Sequence, residues 1–191
     1  TTLLNRALKT AHGKRIAVIV NEIGEIGVDG ALLQGTERFV ELDNGCLCCA
    51  LNEDLVQTLD EIGKREGIDH VIIETTGIAD PLPVGHAVMR HELNGRFRLD
   101  AIVTTVDCLN LERSIAEAAE AALQIRRADI LLITKCDLVE PRRRAEVRAL
   151  LEVHNPHARV MRVDGAEVLG LLLDAHIEGD LVAGPRPLGL G

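Results

Sequence analysis

The sequence predicts a doubly wound α/β domain, a mostly parallel sheet with helices on both faces. Three features predict it. Short runs of β-branched and aliphatic residues recur without polar alternation, as strands buried on both faces require. Segments with helical periodicity separate these runs. Polar, motif-like residues directly follow several of the runs, at the strand ends where open α/β sheets gather their ligands.

Taken in order, Thr2 to Lys9 opens a helix. Arg15-Ile16-Ala17-Val18-Ile19-Val20 reads as a buried strand and Arg38-Phe39-Val40-Glu41-Leu42 as a short one. Asn52 is a suitable N-cap for the next helix, with Glu53 and Asp54 in its first turn and Leu55, Leu59 and Ile62 on one face. His70-Val71-Ile72-Ile73 is a third strand. Ala101-Ile102-Val103-Thr104-Thr105-Val106 and Ile130-Leu131-Leu132-Ile133 are the strongest, and Arg159-Val160-Met161-Arg162-Val163 is the last. Further helices are expected at 82–93, 112–127, 142–153 and around 166–175. Residues 1–180 read as one domain, and 181–191, with three glycines and two prolines, as a disordered tail.

A chain of 191 residues fits one domain that buries roughly 70% of its unfolded surface. Its only aromatic residues are Phe39 and Phe97, so the core must be aliphatic, and base-stacking platforms for single-stranded nucleic acid are lacking. A net charge of −9 removes the electrostatic footprint of a duplex binder. Arg142-Arg143-Arg144, at a helix start, reads as a solvated face. No apolar run has the ~20 residues of a membrane span, and no signal peptide is visible. Three of the five cysteines crowd into positions 46–49, which suits a reducing cytoplasm and metal binding better than disulfides.

Four motifs carry chemistry. Thr134-Lys135-Cys136-Asp137 is similar to the guanine-reading box Asn-Lys-x-Asp. Asp137 would accept hydrogen bonds from guanine N1–H and the exocyclic amine, a donor pair that adenine lacks. The Lys135 stem would lie along the base, and Thr134 replaces the usual Asn. In Glu74-Thr75-Thr76-Gly77, Glu74 would act on magnesium or its waters, and the Gly77 amide could approach a γ-phosphate. Ile78 stands where many regulatory GTPases carry a water-positioning Gln, so hydrolysis should be slow or need a partner. Asn21-Glu22-Ile23-Gly24-Glu25-Ile26-Gly27 offers Glu22 and Glu25 as oxygen ligands on a mobile loop. Cys46-Leu47-Cys48-Cys49 offers three thiolates, leaving a tetrahedral zinc one ligand short; Glu22, Glu25 or water could complete it. Cys108 and Cys136 read as core or turn residues.

Together with Thr1-Thr2-Leu3-Leu4-Asn5 and Ile78-Ala79-Asp80-Pro81, these motifs resemble the CobW-type GTPases, metallochaperones of the P-loop class. The resemblance runs from residue 1 to about 165. It implies GTP hydrolysis coupled to delivery of zinc, cobalt or a similar ion to a client metalloprotein. It assigns Thr1 to magnesium, with Thr2 beside it in the nucleotide site. It also calls for a strand and a Gly-Lys phosphate loop just before Thr1, and for a smaller C-terminal domain. The chain as written is therefore expected to lack the middle strand of its sheet and to bind GTP weakly. Two alternatives stand beside this reading: a GTPase for nickel insertion or cobalamin synthesis, and a metal-binding module without nucleotide turnover. The oligomeric state is not readable from these residues.

Overall fold

The structure, a computed structural model, describes residues 15–20, 39–41, 50–75, 77, 79–90, 93 and 95–163. The expected helices at 2–9 and 166–175, and the expected tail at 181–191, lie outside the described residues.

All six expected strands are present. Strand β1 (Ile16–Val20) pairs in parallel with β2 (Phe39–Glu41) on one side and β3 (His70–Glu74) on the other. In the second half, β5 (Ile130–Thr134) lies between β4 (Val103–Asp107) and β6 (Arg159–Arg162), again in parallel. The described strands thus form two three-stranded parallel sheets, one in each half of the chain, ordered β2-β1-β3 and β4-β5-β6. An aspartate fixes the start of one strand pair in each half. Asp69 Oδ2 accepts the N–H of Arg15 at 2.8 Å, and Asp129 Oδ2 accepts that of Ile102 at 2.8 Å.

The two central strands are covered as their sequences require, with Ile16–Ile19 and Ile130–Ile133 all buried. The strands β3 and β4 depart from expectation. Every residue of β3 is only half-buried, and Val103 in β4 is 39% exposed. Each has one paired edge among the described residues. Both line a cavity of about 890 Å3, to which β3 contributes Ile72 and Ile73 and β4 Thr104 and Thr105. The cavity is thus lined by strands of both three-stranded sheets.

Helix α1 (Ala50–Gly63) buries Leu55, Leu59 and Ile62, the predicted face, together with Val56. It starts at Ala50, so Asn52 sits inside the first turn and is not the cap; Ala50 and Leu51 are strong helix formers that extend the helix backwards. Helix α2 (Pro81–Val88) starts where Asp80 Oδ1 accepts the N–H of Leu82 at 3.0 Å, with Pro81 at the first helical position. It stops five residues short of the predicted end at 93, because the Met89 N–H bonds back to His86 O in a tight turn.

The helix expected over 112–127 is two helices, α3 (Leu111–Glu117) and α4 (Ala119–Arg127). Ala118 between them is extended, at φ −136° and ψ 116°. Nothing in the alanine-rich local sequence requires this break. Tertiary packing favours it, since Leu111 and Ile125 both reach the core over β4 and β5. Helix α5 (Pro141–His154) buries Val147 and Leu151 in the same core. The other half has its own core, where Ala17 and Ile19 of β1 meet α1 and α2. No described helix is long and apolar enough to cross a membrane.

Candidate nucleotide site

The site is built where β4 and β5 end side by side. Asp107 and Thr134, their last residues, are register partners. Two bonds join these ends: Thr134 Oγ1 donates to Val106 O at 3.0 Å, and the Cys108 N–H donates to Thr134 O at 3.1 Å. Thr134 thus uses its hydroxyl to hold the strand ends together.

Lys135 follows in a left-handed conformation, φ 58° and ψ 28°, unusual for a residue with a side chain. That turn sends the backbone into one turn of 3-10 helix, Cys136–Leu138, closed by the Leu138 N–H bonding to Lys135 O at 3.2 Å. Cys136 points into the core, which anchors the turn, while Asp137 is exposed. The Lys135 ammonium meets Asp107 Oδ2 at 2.6 Å. Asp107 also accepts the Leu109 N–H at 2.9 Å and the Asn110 side-chain amide at 2.9 Å. Burial pushes its carboxyl up, but the bonds from Lys135, Asn110 and Leu109 outweigh burial and hold it below the usual carboxylate value. The sequence placed Asp107 at a strand end without giving it a role; its signal was the position opposite Thr134.

Glu74 and Gly77 lie on the other half-sheet. Glu74 closes β3 and is half-buried, a hard oxygen donor of the kind magnesium prefers. Gly77 is exposed, and a Cβ built on it would meet nothing within 4 Å, so its backbone is open to approach. Helix α4 ties this loop to the second half. Gln124 Nε2 donates to Gly77 O at 3.1 Å and Ala79 O at 2.7 Å, and Arg127 Nη1 pairs with Asp80 Oδ1 at 2.5 Å. Neither Gln124 nor Arg127 stood out in the sequence. Their partners lie 45 to 47 positions away.

Thr1, Thr2, Glu22, Glu25, Cys46, Cys48 and Cys49 lie outside the described residues. Among the described residues no three His, Cys, Asp or Glu side chains are grouped to hold a metal ion. Cys108 and Cys136 are buried free thiols, as expected of core residues. Burial, and then the neighbouring Cys136, push the Cys108 thiol up, away from the thiolate a metal needs. The arginine run is less solvated than its sequence suggests. Arg142 pairs with Glu146, whereas Arg143 holds Glu112 and Cys108 O, and Arg144 holds Val139 O. Backbone carbonyls and a carboxylate draw these two side chains down, so both are half-buried.

The family described as CobW/HypB/UreG, nucleotide-binding domain, matches residues 1–162. The zinc chaperone YjiA of Escherichia coli is 35% identical over 184 residues, covering 92% of this chain and 57% of YjiA. The zinc-regulated GTPase metalloprotein activator 1 of Dictyostelium discoideum is 31% identical over 202 residues, covering 85% of this chain and 42% of the relative. The crystal structure of Zn(II)-bound YjiA GTPase from E. coli superposes with a TM-score of 0.67 at 31% identity, covering 92% of this chain and 57% of that one. The chain therefore spans about half the length of the relatives it matches. With a matching family over most of its length and a parallel α/β fold carrying that family's motifs, the chain belongs to the CobW/HypB/UreG nucleotide-binding domain family.

Proposed function

We propose that this chain is the nucleotide-binding part of a GTP-dependent zinc chaperone that acts in the cytoplasm and hands its ion to a client metalloprotein. The observation that carries the nucleotide half is the Lys135–Asp137 turn: an exposed carboxylate on a left-handed turn, beside a lysine held by Asp107. Asp137 would read guanine through its two donors, and the Lys135 methylenes would lie along the base. Gly77 would sense the γ-phosphate. Glu74, with Thr1, would hold magnesium, which when bound neutralises charge on the phosphates. The cargo ion would sit on Cys46, Cys48 and Cys49, with Glu22 or Glu25 completing the shell. The names of the relatives favour zinc over cobalt or nickel as the cargo.

Competition against a fluorescent guanine nucleotide tests the first half. GTP should displace it at least about tenfold better than ATP, and Asp137→Ala should lose that preference, as loss of hydrogen bonds to a charged group predicts. Equal displacement by ATP would overturn the guanine reading. Zinc titration against a chromogenic chelator tests the second half. Replacing Cys46, Cys48 and Cys49 by serine should abolish tight one-to-one binding, and unchanged zinc affinity would remove the cysteines from the site. If the halves are coupled, GTP and zinc change each other's affinity by the same factor.

A further inference from the structure

We infer that Gln124 and Arg127 of α4 are positioning residues for the γ-phosphate-sensing turn, setting the discrimination between GTP and GDP; this rests on the guanine-nucleotide reading above. Gln124 and Arg127 stand three positions apart, on one face of the helix. The Gln124 amide donates to two carbonyls of the turn, Gly77 O and Ala79 O. The Arg127 guanidinium takes Asp80, the residue that also caps α2. The turn is therefore held at both of its ends by one helix, and at its far end it is joined to the start of the next helix.

The helix is itself well fixed. The Gln124 backbone carbonyl accepts Thr104 Oγ1 of β4 at 3.2 Å, and Ile125 is buried in the core. Arg127 is followed after two residues by β5, whose far end carries Lys135 and Asp137. One rigid segment thus sets both the base-reading turn and the phosphate-sensing turn, which stand on different half-sheets. Holding Gly77 O fixes the peptide plane on the C-terminal side of Gly77 and so restrains the orientation of that residue, whose own N–H belongs to the preceding plane. An amide that meets the γ-phosphate needs that orientation set in advance. GDP has no atom there, so its binding should not depend on it.

Gln124→Leu keeps a side chain of similar bulk and removes the donor. It should lower the ratio of GTP to GDP affinity by about tenfold, the loss expected for two neutral hydrogen bonds, while GDP affinity changes less than about twofold. Arg127→Ala should act in the same direction and Arg127→Lys should restore part of the ratio. An unchanged ratio, or equal loss of GTP and GDP affinity, overturns the inference, because a purely structural role lowers both. If the unaltered protein does not prefer GTP over ATP, the nucleotide reading itself has failed. Hydrogen exchange then decides what Gln124 does: about tenfold faster exchange confined to the amides of residues 77–80 in Gln124→Leu supports the positioning role, and unchanged exchange overturns it.

Discussion

Asn155, just beyond α5, is the polar residue most deeply embedded in the described fold, and removing its amide should cost about as much as truncating a core aliphatic side chain. It is 4% exposed. Its Nδ2 donates to Ile125 O at 2.8 Å, Ala128 O at 2.9 Å and Arg126 O at 3.2 Å, the carbonyls at the end of α4. Its Oδ1 accepts the N–H groups of His157 at 3.2 Å and Ala158 at 3.1 Å. A helix end leaves its last carbonyls without intrahelical partners, and here one side chain supplies them. Asn155→Ala leaves Arg126 O and Ala128 O without this donor, since Ile125 O keeps the Ala128 N–H. At 1–3 kcal/mol for each of the two orphaned groups, the cost is about 2–6 kcal/mol. For a chain of this size that lowers Tm by about 10 °C. The chain has no Trp or Tyr, so urea and thermal unfolding should be followed by far-ultraviolet circular dichroism. Asn155→Asp is the sharper variant. It keeps both accepted bonds but turns an oxygen towards three carbonyls, so at pH 8 it should be at least as unstable as the alanine variant. Its own carboxyl would be raised in the folded state, and protonation would return one donor, so its stability should recover as pH falls through that raised value. Asn155→Asp within about 0.5 kcal/mol of the unaltered protein at pH 8 would refute the reasoning, since the donated bonds would then contribute almost nothing.

The Arg143 bond, opposed only by slight burial, lowers the Glu112 carboxyl from 4.5 to about 2, so the pair contributes fully above about pH 4.5 and is lost as pH falls through about 2. Glu112 is half exposed, so the contribution after screening is about 0.5–1 kcal/mol, and Glu112→Gln should flatten the stability–pH curve by that amount in this window. Identical curves for the two proteins would exclude the pair as a source of acid lability. Asp107→Asn should weaken guanine-nucleotide binding about tenfold by releasing Lys135, while Tm falls only a few degrees. Undiminished nucleotide affinity in Asp107→Asn would show that the ion pair has no part in the site. Leu131→Ala, at a fully buried position in β5, should cost about 2–5 kcal/mol in urea unfolding, and a cost under about 1 kcal/mol would contradict the packing described for the second half-sheet.

The strands were readable because a buried parallel strand needs an unbroken aliphatic run, and Ile16–Val20 and Ile130–Ile133 satisfy that need locally. The same logic overstated β3 and β4. A sequence records what a strand is suited to pack against, and the structure shows how much of it is covered. The break at Ala118 had no local sign, because alanine and glutamate are good helix formers and only the two packing partners of α3 and α4 require it. Gln124, Arg127 and Asn155 were invisible for a different reason. A polar residue on a helix face or beyond a helix end looks solvent-facing until its partner, 27 to 47 residues away, is brought to it.

Lys135 lies between these cases, and it shows how sequence and structure together reach further than either. The motif gives its stem a place along a base, but a lysine side chain in water samples many rotamers and presents no fixed surface. The structure supplies two constraints the motif does not state. The left-handed backbone at φ 58° sets where the side chain leaves the turn, at a cost of about 1–2 kcal/mol. Asp107 then holds the ammonium at 2.6 Å, so both ends of the methylene chain are fixed. A lysine restrained at both ends is an apolar ledge, which a purine face can cover without first ordering four rotatable bonds. The strain at Lys135 is thus the backbone counterpart of the Asp107 ion pair. Both serve the same surface, and Lys135→Met, which keeps the stem and removes its anchor, should bind guanine nucleotide as weakly as Asp107→Asn.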